Sequence, residues 1–141
     1  MAAERARLHR LQRLERVRAI ARHQAAREAA QAEGTLAQLE ALAERTHRMA
    51  EDYRGRTVLA DGLELRELGQ FVAGLSGISS ATRGDAIQAR ELADRKQHDL
   101  ALAERRRAAV EDRAQGEQRA LVQRRAPQAL DGRRPLGTPL E

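Results

Sequence analysis

The chain has 141 residues, of which 33% are charged and 1% aromatic, with no cysteine and a formal net charge of +5. The missing cysteines exclude a disulfide framework and a thiolate metal site, and the shortage of aromatic rings argues against a thick globular core. A chain rich in alanine, leucine, arginine and glutamate, with all three prolines at Pro127 or later, favours long exposed helices. No apolar run approaches the roughly 18 residues that cross a bilayer, and the charged amino terminus lacks the apolar stretch of a secretory signal. A cytoplasmic protein is expected.

The first predicted helix runs from about Glu4 to Arg54, a stretch without proline that would span about 75 Å. Its second half spaces Ala32, Thr35, Leu39, Leu42, Thr46, Met49 and Tyr53 in steps of three and four, the period of a two-stranded seam. Upstream the seam is read through Leu14, Val17, Ala21, Gln24 and Glu28, with a stutter between Glu28 and Ala32. Leu8, Leu11 and Ile20 fall off that register and broaden the apolar face of the opening turns.

A connection over about 55–61 follows. Gly55 is expected to take a left-handed cap conformation behind Arg54, and Asp61 to cap the next helix, with Glu64 three residues on as in a capping box. So short a link favours antiparallel neighbours. The expected fold is all-α: two long helices in an antiparallel coiled-coil hairpin over 1–125.

The second helix, about 62–125, carries the cleaner heptads: Leu65, Leu68, Val72, Leu75, Ser79, Thr82, Ala86, Ala89, Ala93, Lys96, Leu100, Ala103, Arg107, Val110, Ala114, Glu117 and Leu121. So many alanines make a thin seam. Folding about residues 58 to 59 sets Tyr53 opposite Leu63 to Glu64 and Met49 opposite Leu68. Phe71, beside the seam residue Val72, then points to a flank that Leu75 and Ile78 extend. That stripe reads either as a docking face or as thickening of the hairpin. Gly69, Gly74, Gly77 and Gly84 each cost about 1 kcal/mol relative to alanine, so this region either frays or lets another protein approach closely. Residues 126–141, holding the prolines, are expected to form a disordered tail.

His9, His23, His47 and His98 are never three or four residues apart, so one helix supplies no metal pair. Acids alternate with arginines as surface ion pairs do, and no phosphate loop, nucleophile elbow or dinucleotide fingerprint occurs. A non-enzymatic protein without cofactor or metal is expected. The basic balance keeps an arginine-rich nucleic-acid-binding protein as an alternative, and a generic structural coiled coil is another.

Within this hairpin, LAERTHRMAEDYRGR ends the first helix with tyrosine followed by arginine, and ELGQFVAGLSGIS opens the second with glutamine and phenylalanine before a leucine four residues on. Over about Glu4 to Arg125 the chain resembles the flagellar FliJ family, stalk proteins of the bacterial flagellar type III export apparatus. The resemblance implies a coiled coil similar to the central stalk of the rotary ATP synthase gamma subunit. It implies a place in the middle of the export ATPase ring, contact with the cytoplasmic domain of the export-gate membrane protein, and handling of export chaperones. The gate-facing surface would be Met49, Tyr53, Phe71, Leu75 and Ile78. The paired termini, with Leu8, Leu11, Val17, Ile20, Val110 and Leu121, would enter the ring. Such a protein would be cytoplasmic, peripheral to the inner membrane at the flagellar base, and would touch membrane only through the gate. The equivalent stalk of a virulence injectisome has the same architecture.

Overall fold

The computed structural model describes residues 2–56 and 61–131, with side chains as far as residue 125. It is an all-α hairpin of two long helices packed against each other. Helix α1 is Ala2–Arg56 and α2 is Gly62–Asp131. The hairpin resolves into two compact units: a bend unit, Ala25–Leu100, and a terminal unit that pairs α1 up to Gln24 with α2 from Ala101.

In the bend unit the buried positions of α1 are Ala29, Ala32, Leu36, Ala43, Thr46 and Ala50, with Leu39 and Tyr53 half-buried. Their spacing is an uninterrupted alternation of four and three, so the stutter expected after Glu28 does not occur. Bulk draws the expected register to Leu42 and Met49, whereas the alanines one residue on, Ala43 and Ala50, are the ones buried. Thr35, Leu42 and Met49, expected in the seam, lie beside it, and the seam positions next to them are Leu36, Ala43 and Ala50. Alanine hides less area than leucine, but it lets two helices approach closely, and here close approach sets the seam.

Facing it, α2 buries Val72, Leu75, Ser79, Thr82, Ala86 and Ala93. Ala32, Leu36, Ala86 and Ala93 form one cluster, with Leu39 and Ala89 packed on it. Three hydroxyls lie in this seam and none is stranded. Thr46 donates to the Leu42 and Ala43 carbonyls at 2.9 and 3.0 Å, and Thr82 to the Ile78 carbonyl at 2.8 Å. Ser79 crosses between helices to donate to the Ala43 carbonyl at 3.3 Å. A buried hydroxyl bonded in this way avoids the 1–3 kcal/mol or so that an unsatisfied one costs.

The helices run antiparallel, but the fold is not centred on residues 58 to 59. Tyr53 meets Phe71 and Glu28 meets Lys96, pairs whose midpoint is residue 62. Tyr53 is therefore not opposite Leu63 to Glu64. The start of α2, Gly62 to Glu67, is exposed because it extends past the end of α1, which is why Leu65 leaves the seam the sequence assigned to it. Residues 57–60 of the expected connection lie outside the described residues.

Both helix ends beside the connection have identifiable physical causes, one of them unexpected. At the start of α2, the Glu64 N–H donates to the Asp61 carboxylate at 2.9 Å and the Leu65 N–H to the Asp61 carbonyl at 2.8 Å, as the capping reading requires. Asp61→Ala should lower stability by about 1 kcal/mol, and should speed amide exchange at Glu64 and Leu65 but not at Ala93. Gly55, by contrast, is not a left-handed cap. It lies within α1, and no glycine among the described residues has a positive φ. The helix continues to Arg56, whose guanidinium stacks over the Tyr53 ring at 4.9 Å and holds the last turn.

The glycines of α2 serve no contact within the hairpin. A Cβ added at Gly69, Gly74, Gly77 or Gly84 would meet nothing within 4 Å. The double change Gly77→Ala with Gly84→Ala should therefore raise stability by up to about 2 kcal/mol, seen as a higher midpoint in urea with an unchanged slope.

In the terminal unit, the seam of α1 runs through Glu4, Leu8, Leu11, Glu15 and Arg18, all half-buried, against Val110, Ala114 and Leu121 of α2. Leu8 and Leu11 are thus in register, and Leu14, Val17 and Ile20, the larger side chains by which the seam was traced or broadened, are exposed. Ion pairs join Glu4 with Arg124, Arg7 with Glu117 at 3.7 Å and Arg22 with Glu104 at 3.6 Å. Exposed pairs of this kind each contribute about 0–1 kcal/mol. At the other end, α2 runs six residues beyond Arg125 to Asp131, so the tail does not begin at residue 126. The helix continues past Pro127; residues 132–141 lie outside the described residues.

Candidate partner-docking face

The two flanks of the bend unit differ in chemistry. On one, residues just after the seam positions meet across the hairpin: Arg90 bonds Glu40 at 2.6 Å and Arg54 donates to Ser76 Oγ at 3.0 Å. On the other, the matching positions just before the seam are Glu28, Thr35, Leu42, Met49 and Arg56 on α1 and Phe71, Ile78, Asp85, Leu92 and Asp99 on α2, with Glu28 bonded to Lys96 at 3.2 Å. Heptad position puts these on one side in antiparallel order, Arg56 beside Phe71 and Met49 beside Ile78. Each flank carries an inter-helix ion pair away from the bend, and what sets the second apart is the apolar run of Met49, Phe71 and Ile78 near the bend.

The apolar flank is built around a ring pair. Tyr53 and Phe71, the only two aromatic residues of the chain, lie with centroids 4.9 Å apart and planes at 80°, an edge-to-face contact. With Arg56 above it and Phe71 against it, Tyr53 is half-buried and fixed. Phe71 is held on one side and keeps 47% of its surface exposed, Ile78 keeps 53% and Met49 39%. Leu75 is different. It is 8% exposed and belongs to the seam, because it stands three residues after Val72 while the flank recurs at seven-residue steps from Phe71. Of the five residues expected at the gate-facing surface, Met49, Phe71 and Ile78 share the flank, Tyr53 is a half-buried seam residue whose ring meets Phe71, and Leu75 lies in the seam. Leu92, 41% exposed, was missed, although its place 14 residues after Ile78 on the same heptad position was readable.

The expected ring-facing set separates more sharply. Leu8, Leu11, Val110 and Leu121 are spent on the terminal unit's own seam, and only Val17 and Ile20 face outward. Among the described residues no group of three histidines, cysteines or acids is placed to hold a metal ion. No described helix is long and apolar enough to cross a membrane.

No protein-family model, curated protein or solved structure matches the chain.

Proposed function

We propose that this protein is a non-enzymatic stalk and adaptor of the flagellar type III export apparatus, linking the export ATPase ring to the export gate and handling export chaperones. The observation that carries the reading is the exposed apolar run beside the bend, where the Tyr53 ring buttresses Phe71 and where Met49 and Ile78 stand half-exposed on the same flank. A large exposed apolar area on a thin coiled coil costs solubility unless a partner covers it. Two long helices with hydrogen-bonded backbones hold a docking stripe rigidly. The FliJ resemblance supplies the partner, the gate's cytoplasmic domain, with Met49, Tyr53, Phe71 and Ile78 as its contacts and Leu75 as support from below. Val17 and Ile20 remain for the ring. The protein would sit in the cytoplasm at the flagellar base.

Deletion of the coding sequence tests this reading. Loss of swimming and of filament-protein export, restored by the intact chain, is the expected result. Unchanged export of flagellar proteins with loss of virulence secretion would assign it to an injectisome instead.

A further inference from the structure

The positive charge of this chain is not evenly spread. Between Glu4 and Arg22 there are seven arginines and two glutamates, and the rest of the sequence carries nineteen basic and nineteen acidic residues. The whole net charge of +5 thus equals that of one segment of α1. Two of its arginines, Arg7 and Arg22, pair with acids of α2. Arg5, Arg10, Arg13 and Arg16 make no ion pair among the described residues, and each is exposed.

The same segment carries Leu14, Val17 and Ile20, exposed by 39, 59 and 68%. Steps of three residues turn through about 300°, so these side chains lie in one arc of the helix, on the side away from the seam of Leu8, Leu11 and Glu15. Arg10 and Arg13 lie on the same arc one to two turns nearer the amino terminus, and Arg16 borders it. An aliphatic patch edged by unpaired arginines, on a helix that is already held by a partner helix, is the arrangement of an interfacial membrane contact.

We propose that this outward face of the terminal unit binds an anionic lipid surface, with Val17 and Ile20 entering the headgroup boundary and Arg10, Arg13 and Arg16 meeting lipid phosphates. Charge decides the lipid class, since only anionic headgroups reward so concentrated a cationic patch. The aliphatic side chains favour a bilayer over nucleic acid, whose phosphates would leave Leu14, Val17 and Ile20 uncovered. With few anchors the binding is weak and reversible. It does not rest on the export reading and adds a direct lipid contact to any made through the gate. Where that reading holds, Val17 and Ile20 serve both ring and lipid, so the two bound states exclude each other.

Co-sedimentation of the full chain with vesicles tests the proposal, using phosphatidylcholine alone and phosphatidylcholine mixed with phosphatidylglycerol. Binding only to the mixed vesicles, lost at high salt, is expected. The double change Val17→Ser and Ile20→Ser, which leaves every charge in place, should weaken it by about tenfold. Arg10→Gln with Arg13→Gln should weaken it at least as much. Val122→Ser, at an exposed aliphatic of the same unit, should have no effect, and circular dichroism should show all variants helical. The proposal is overturned by absent binding or by equal binding to both vesicle types. Retained binding in the serine double variant overturns it too, because the patch would then be a polyanion site that nucleic acid would fill as well.

Discussion

Ala93→Glu should open the bend unit. Ala93 is 1% exposed and packs in the cluster with Ala32, Leu36 and Ala86. A glutamate there has no room for its methylenes, and the cations one turn away, Arg90 and Lys96, already bond Glu40 and Glu28, so the helices must separate or bury a carboxylate that competes for them. Either route costs about 3–5 kcal/mol, a large share of the 5–15 kcal/mol or so that typically holds a domain of this size. Thermal unfolding followed by circular dichroism should show the transition lowered and broadened, and amides flanking Ala93 should lose protection. Ala73→Glu, at an exposed position of the same helix, should change stability by less than about 0.5 kcal/mol. Equal tolerance at both sites would mean that Ala93 is not in a close-packed seam.

The second large effect belongs to the apolar flank. Phe71→Ser with Ile78→Ser removes two half-exposed side chains without touching Val72, Leu75 or Ser79, so the fold should lose only the edge contact with Tyr53, about 1 kcal/mol. Affinity for the gate's cytoplasmic domain should fall far more. Two apolar anchors at the centre of an interface are together worth about 2–4 kcal/mol, roughly a 30- to 1,000-fold loss. Arg90→Ala, which breaks the pair with Glu40 on the opposite flank, should leave affinity unchanged. Leu75→Ala would confuse the test, because truncating that seam residue destabilises the hairpin by about 2–5 kcal/mol.

The contrast between Leu75 and Phe71 marks how far the sequence could be read. Heptads in α2 were legible because large and small seam residues alternate with charged ones, and from Leu68 to Leu121 the positions named from spacing are buried or half-buried. In α1 the spacing places Ala32, Leu39, Thr46 and Tyr53 rightly, but the positions between them slide by one residue. Ala29, Ala43 and Ala50 form the seam while Leu14, Val17 and Met49 stand outside it, and periodicity weighted by bulk follows the latter. The cap at Asp61 was legible because its chemistry is local. The end of α1 was not, since Arg56 is held by stacking on Tyr53, a contact no capping rule anticipates. The bend centre was misplaced for a related reason: helix ends fix a midpoint only when both helices stop level, and α2 begins with turns that α1 does not reach. The ring pair itself, Tyr53 with Phe71, depends on that register and was out of reach.

The proposed adaptor role is tested most directly by a pull-down from purified components, with this chain as bait and the export ATPase and the gate's cytoplasmic domain as prey. Capture of both by the intact chain, with the gate domain alone lost from the Phe71→Ser, Ile78→Ser variant, is the predicted result. Failure of the intact chain to retain either component, or retention of the gate domain by the double variant at undiminished level, would contradict it.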